Sequence, residues 1–270
     1  MRGLKTSREE LAAALCRDTT LTKAIFEFVP TVGRYIHPAL SSRSMCGRFT
    51  LKSPGRTKFD LLNRSHLPPL LPRYNIAPSQ TVLAIIQEGE APQATLFQWG
   101  LIPSWSKEAK GFINARAETL EDKPSFSESF QRRRCLIGAD GFYEWTRSGR
   151  WKQPHYFQMK DEGPFAFAGI WDEWRGDKLP ISSCAIITTT ANDLMAPIHN
   201  RMPVILHPTV YDDWLSGDAK LVNLKSLLLP YPASEMKSHP VGNDVNHAKV
   251  DHPHLVTRVD EALDPNLSLF

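Results

Sequence analysis

Four apolar, β-branched runs follow one another at 135–145, 155–159, 165–171 and 183–190. The connections between them are polar and rich in Gly, Pro, Lys and Asp, with no crossover-helix pattern. This succession constrains the fold more than any other feature. Strand candidates dominate the rest as well, at Arg48–Leu51, Thr81–Gln87, Thr95–Trp99 and Met202–Leu206. Helical patterns are confined to Thr57–Asn63, the end of 123–134, 208–215 and 221–228, with Asn192 as the N-cap of one further short helix. Without a βαβ rhythm, the expected class is α+β: one domain built around a curved, barrel-like mixed sheet with short peripheral helices.

The 270 residues fit one large domain or two small ones, and 41% hydrophobic with 23% charged residues is an ordinary globular balance. No apolar run approaches the roughly 20 residues of a membrane-spanning helix. The apolar stretch Leu11–Leu15 is too short, and follows Glu9 and Glu10 too closely, for a signal peptide. The expected location is the cytoplasm, with nucleoid association in a bacterium. The four cysteines, Cys16, Cys46, Cys135 and Cys184, are scattered without metal-ligand spacing, so free thiols are expected and neither metal nor cofactor. Cys135 and Cys184 fall in apolar runs and read as core residues.

Residues 1–44 differ in character from the remainder of the chain. Ser7-Arg8-Glu9-Glu10 forms a capping-box pattern that predicts a further short helix to about Arg17, after which periodicity fades into the linker-like 41–44. This leader carries seven basic and four acidic residues. Subtracting them from 32 and 29 leaves 25 of each sign in 45–270, a net charge of zero. A globally basic nucleic-acid binder is therefore excluded, and DNA binding would need a local patch. Two readings of the leader compete, a genuine extension or upstream sequence preceding a start at Met45; the second is preferred, with 45–270 as the domain.

Four segments carry polar groups that a strand-rich core would not take without a reason: MCGRFT (45–50), INARAET (113–119), GFYEW (141–145) and IHNRMP (198–203). Cys46 alone reads as a core thiol. At a free N-terminus it would present an amine of pKa near 8 beside a thiol. The amine condenses with an aldehyde to an imine, and the thiol closes onto the imine carbon to give a thiazolidine. Glu144 alternates with Phe142, which puts a carboxylate among aromatics if that face is inward. His199 lies in a turn before Arg201. Asn114 and Arg116 share one face of a strand and suit a phosphate or sugar oxygen, unless Arg116 instead pairs with Glu118. Arg48, Arg73, Arg116, Arg132, Arg133, Arg134 and Arg201 are candidates for the basic patch. Trp99, Leu101, Pro103 and Trp105 form a loop that either stacks on bases or caps the core.

Together these segments resemble the SRAP family, the SOS response-associated peptidases or abasic site processing proteins. The likeness runs from Met45 to about Val256 through MCGRFT, RYNIAPSQ (73–80), WGLIPSW (99–105), INARAET, CLIGADGFYEW (135–145), AGIWDEW (168–174), TTTAN (188–192), IHNRMPVIL (198–206) and HPVGNDVN (239–246). The resemblance implies a single SRAP domain that captures abasic sites in single-stranded DNA as a covalent thiazolidine crosslink through Cys46. It implies Glu144 as acid/base, His199 as proton carrier and Asn114 as the residue orienting the sugar. It further implies DNA contacts from Arg48, Arg116, Trp99, Leu101 and Arg201. Such a protein would be a monomer with lyase-like crosslinking activity and no membrane partner, acting near the replication machinery. The leader departs from this pattern, because Cys46 needs a free N-terminus. Two alternatives stay open: a cysteine autopeptidase using Cys46, Glu144 and His199, and a non-catalytic single-stranded DNA-binding module.

Overall fold

The computed structural model describes residues 47–54, 70–148, 151–176, 179–218 and 220–260. The expected helices after Ser7 and at Thr57–Asn63, and the thiols of Cys16 and Cys46, lie outside the described residues. The first strands are β1 (Arg48–Leu51), β2 (Arg73–Ile76), β3 (Thr81–Glu88), β4 (Ala91–Trp99) and β5 (Asn114–Arg116). Then come β6 (Arg134–Ala139), β7 (Gly141–Ser148), β8 (Trp151–Met159), β9 (Phe165–Trp174) and β10 (Ile181–Thr190). Last are β11 (Arg201–Pro203), β12 (Ile205–Leu206) and β13 (Met236–Pro240). Among the described residues three short α-helices accompany them: α1 (Ser127–Arg132), α2 (Tyr211–Leu215) and α3 (Leu221–Ser226).

One sheet closes on itself. β10 pairs with β4, β4 with β3, β3 with β6, β6 with β9, and β9 again with β10. Strand alternation divides this ring into two faces. Cys135, Ile137 and Ala139 of β6, Phe165 and Phe167 of β9, and Cys184 and Ile186 of β10 join one buried cluster. Leu136, Ala166, Ala168, Ala185 and Ile187, one register step away, join another with Phe130 of α1 and Trp214 and Leu215 of α2. The expected class and the barrel-like sheet are therefore present. Both Cys135 and Cys184 are fully buried, and burial pushes their thiols well above the usual pKa.

The second sheet runs β13-β8-β7-β1-β2. Phe49, Phe142 and Phe157 present its inner face to the first cluster of the ring. The expected single strand 135–145 is two strands belonging to the two sheets, broken at Asp140. This buried carboxylate accepts from Thr50 Oγ1 (2.6 Å), Lys52 N (2.5 Å) and Ser53 N (3.0 Å), which ties the crossing point to the end of β1. Gly141 comes next because a Cβ there would lie 2.0 Å from Tyr156 Oη. Asn192 does cap, accepting from Met195 N at 3.0 Å, but residues 193–198 form turns rather than a helix. Pro197, lacking an N–H, cannot continue one.

Residues 241–259 return across the second sheet as a strap. Buried Asn75 of β2 donates to the carbonyls of His247 (3.1 Å) and Val250 (2.7 Å), and Asp251 accepts from Arg73 Nε and Tyr74 N, both at 2.5 Å. Among the described residues no helix is long and apolar enough to cross a membrane.

Candidate functional site

Cys46 lies outside the described residues, and the described chain resumes at Gly47. β1 runs antiparallel to β7 with Arg48 opposite Tyr143, Phe49 opposite Phe142 and Thr50 opposite Gly141. The entrance to β1 is thereby set beside Glu144, the next residue along β7. Alternation puts Glu144 on the face of Phe142, toward the ring, and Tyr143 and Trp145 on the face toward the strap. Glu144 is 4% exposed, and its cross-strand neighbour His155 is buried too. Trp145 Nε1 donates to Asn246 Oδ1 of the strap at 2.9 Å, and Tyr143 Oη to the carbonyl of Tyr74 at 2.8 Å. Arg48 does not project freely: its guanidinium donates to Asn75 Oδ1 (3.1 Å) and to the carbonyls of Val245 and Asn246.

The second group sits at the end of β10. β5 lies parallel to it, with Asn114 beside Ile186 and Arg116 beside Thr188, and β11 lies antiparallel on it, with Arg201 beside Thr190. Asn114 and Arg116 share one face, flanking the buried Ala115. Glu118 pairs not with Arg116 but with Arg201, which reaches it through both Nη atoms (2.5 and 2.9 Å) and also binds the carbonyl of Thr188 (2.6 Å). Hydrogen bonding to Arg201 holds the Glu118 carboxyl below the usual range. His199 sits in the intervening turn, its Nδ1 accepting from Arg201 N at 3.1 Å. Asn114, Glu144 and His199 are each engaged rather than free.

Both groups rim one apolar cluster. Phe49, Ile113 and Met202 belong to it and Ile198 packs against it; each directly adjoins Arg48, Asn114, Arg201 and His199 respectively. Trp99 belongs to it as well; its ring meets Phe49 edge-on at 5.1 Å and its Nε1 donates to the carbonyl of Ile113 at 2.9 Å. This corrects the expected role of Trp99 and Leu101 as DNA-contacting residues. They are 1% and 0% exposed, so neither offers a face to a base. The loop beyond them is anchored by Ser183 Oγ to Ile102 N (2.9 Å), Asp172 to Ser104 N (2.8 Å) and Trp174 Nε1 to Ser106 O (2.7 Å); of its expected base-stacking residues, Trp105 is exposed, at 61%.

The expected arginine patch shrinks in the same way. Arg134 is buried and caps four carbonyls, those of Phe130, Gln131, Trp214 and Ser216. Arg133 pairs with Glu128 and Asp172, and Arg73 with Asp251. Arg116 stays exposed on an open groove of about 570 Å³, where it is joined by Lys123. Sequence reasoning missed Asn75 and Lys123. Asn75 had a signal, being an amide inside the apolar RYNIA run, whereas Lys123 stands among charged residues and carried none.

The fold is a strand-rich α+β domain with buried Glu144 on β7, Asn114 on β5 beside β10, and His199 in the turn before β11. The family model described as SOS response associated peptidase (SRAP) matches residues 45–248. The chain belongs to this family. It is 42% identical over 221 residues to the Abasic site processing protein YoqW of Bacillus subtilis, covering 78% of this chain and 99% of that one. It is 28% identical to the Abasic site processing protein YedK of Escherichia coli, covering 80% and 100% of the two chains. A crystal structure of a protein from Bacteroides thetaiotaomicron superposes with a TM-score of 0.68 at 28% identity, over 79% of this chain and all of that one.

Proposed function

We propose that this protein processes abasic sites in single-stranded DNA by forming a covalent crosslink through Cys46 at a free N-terminus. The observation that carries the reading is the β1–β7 register, which sets buried Glu144 beside the entrance to β1, two residues after Cys46. The names of the relatives support the substrate class, and the family match beginning at Met45 agrees with 45–270 as the working domain.

The ring-closed abasic sugar opens when its ring oxygen gains a proton and its anomeric hydroxyl loses one. Glu144 and His199 are assigned these transfers. The Cys46 amine adds to the aldehyde, and loss of one water leaves the imine. The thiol then adds to the imine carbon while its proton passes to nitrogen, closing the thiazolidine. Asn114 orients the sugar, and Arg116 receives a flanking phosphate. Arg201 acts through its clamp on Glu118, and Arg48 by fixing the mouth of β1. Residues 1–45 must be absent for this chemistry, since an internal Cys46 has only an amide nitrogen.

The test is a denaturing gel of protein beginning at Cys46, incubated with a single-stranded oligonucleotide carrying one abasic site. A slow-migrating band is expected, absent with Cys46→Ser and with the full chain. No band from the Cys46-start form overturns the reading. An equal band from the full chain would overturn the need for a free amine.

A further inference from the structure

His155 is a buried ionisable group that the reaction outlined above does not use. It lies in the middle of β8 and is 8% exposed. In the antiparallel ladder of β7 and β8, Phe142 is opposite Phe157, Tyr143 opposite Tyr156 and Glu144 opposite His155. Side chains meet across the first two rungs. The rings of Phe142 and Phe157 stack with centroids 5.1 Å apart, and those of Tyr143 and Tyr156 are also 5.1 Å apart. Glu144 and His155 form the next rung, on the same face as the phenylalanine pair. Directly opposite residues on one face hold their Cβ atoms about 5 Å apart, within reach of a carboxyl and an imidazole. Both residues are engaged rather than free. One rung further out, Thr146 and Gln153 are half-buried, so Glu144 and His155 are the last sealed pair on this face.

Among the described residues, the neighbouring strands bring no other ionisable group to that face. β1 turns Phe49 and Leu51 to it, and β13 turns Met236, Ser238 and Pro240, the last opposite His155. Arg48, Lys52 and His239 lie on the strap side. Arg48 binds strap carbonyls there, Lys52 sits over the Tyr156 ring, and His239 Nε2 meets the carbonyl of Val256 at 2.9 Å. Asp244 of the strap pairs with His254. From the ring, His199 approaches through its neighbour Ile198, which packs on the same cluster. A lone carboxylate or a lone imidazolium sealed in such a place carries a large desolvation cost. Together the two groups stay neutral overall with one proton between them, as carboxylic acid beside imidazole or as carboxylate beside imidazolium. Passing between these forms breaks one O–H bond and makes one N–H bond, with no co-reactant.

We infer that Glu144 and His155 form one buried acid–base pair that shares a proton, with His155 as the positioning residue that sets which form Glu144 presents to the reacting sugar. The pairing stands on the ladder; its part in the reaction rests on the proposed function.

The full chain is prepared with isotope-labelled histidine and its imidazoles are titrated by NMR, the His155 signals being those lost in His155→Gln. Glu144→Gln removes the carboxylate that favours imidazolium, so the His155 midpoint is expected to fall by about one pH unit. A midpoint that does not fall, or a His155 that titrates in neither protein, overturns the inference. The second readout is the pH dependence of crosslinking by the protein beginning at Cys46. The limb that Glu144→Gln abolishes should move to higher pH by about one unit in His155→Gln and His155→Phe, with half-saturation by DNA unchanged. His239→Gln should leave that limb in place. Thermal unfolding checks that the variants are folded. A limb unmoved in both folded His155 variants, or moved equally in His239→Gln, overturns the role in the reaction. A wild type that forms no crosslink would overturn the covalent reading, while a fall of the His155 midpoint would leave the pair standing.

Discussion

Trp99 ties the core to the residue before Asn114. Its indole N–H satisfies the carbonyl of Ile113, and the next residue is Asn114. Trp99→Phe keeps most of the apolar contact but removes one of the two bonds to that carbonyl, leaving the one from Ile186 N at 3.1 Å. The expected cost is about 0.5–1.5 kcal/mol, seen as a lower unfolding midpoint, together with slower crosslinking. Normal crosslinking kinetics would show that Ile113 does not transmit the effect to Asn114. The burial of Trp99 was legible, though not from the loop it opens. Along β4, Leu96 is exposed, Phe97 buried and Trp99 buried, the alternation of a half-covered strand. Reading the WGLIPSW segment as a unit obscured that period. The buried state of Arg134 was less legible, because an arginine run looks the same whether it ends in solvent or folds back onto carbonyls.

Among the elements, β5, β10 and β11 form a clamp closed by Arg201 and Glu118. The folded pKa of Glu118 lies below its ordinary 4.5, so the pair contributes stability in full above about that pH and loses it as pH falls through the lowered value. The carboxylate is half-exposed, so the effect is small. In Glu118→Gln, urea midpoints should fall slightly at pH 7, and the gap to the wild type should narrow as pH is lowered below 4.5; a gap that does not change with pH would refute the electrostatic account. Strands such as β1, β3 and β10 could be read from the sequence because each alternates or runs apolar between turn residues. β2 and β13 could not. RYNI and MKSHP have little strand character of their own, and they become strands by pairing with β1 and β8. The break at Asp140 was hidden for a related reason: both halves are apolar, and the change of sheet is dictated by Thr50 and Tyr156, which are distant in sequence.

At the scale of the molecule, the strap of 241–259 joins the far end of the chain to the mouth of β1. Asn75→Ala removes the amide that holds the carbonyls of His247 and Val250. It should destabilise the protein by about 2–3 kcal/mol and increase hydrogen exchange in 243–251 before the ring strands. Uniform loss of protection would show that the strap and ring unfold as one unit. The junction also has a consequence in time. Arg48 bonds to the carbonyl of Val245, 197 residues later. At about 5–20 residues per second, a ribosome needs roughly 10–40 s to travel between them. For that interval the nascent chain holds its first strand without the partners that anchor Arg48, so the mouth of β1 is completed only near the end of synthesis. Assembly order alone thus delays the geometry proposed for the reaction until the strap that anchors Arg48 has been made.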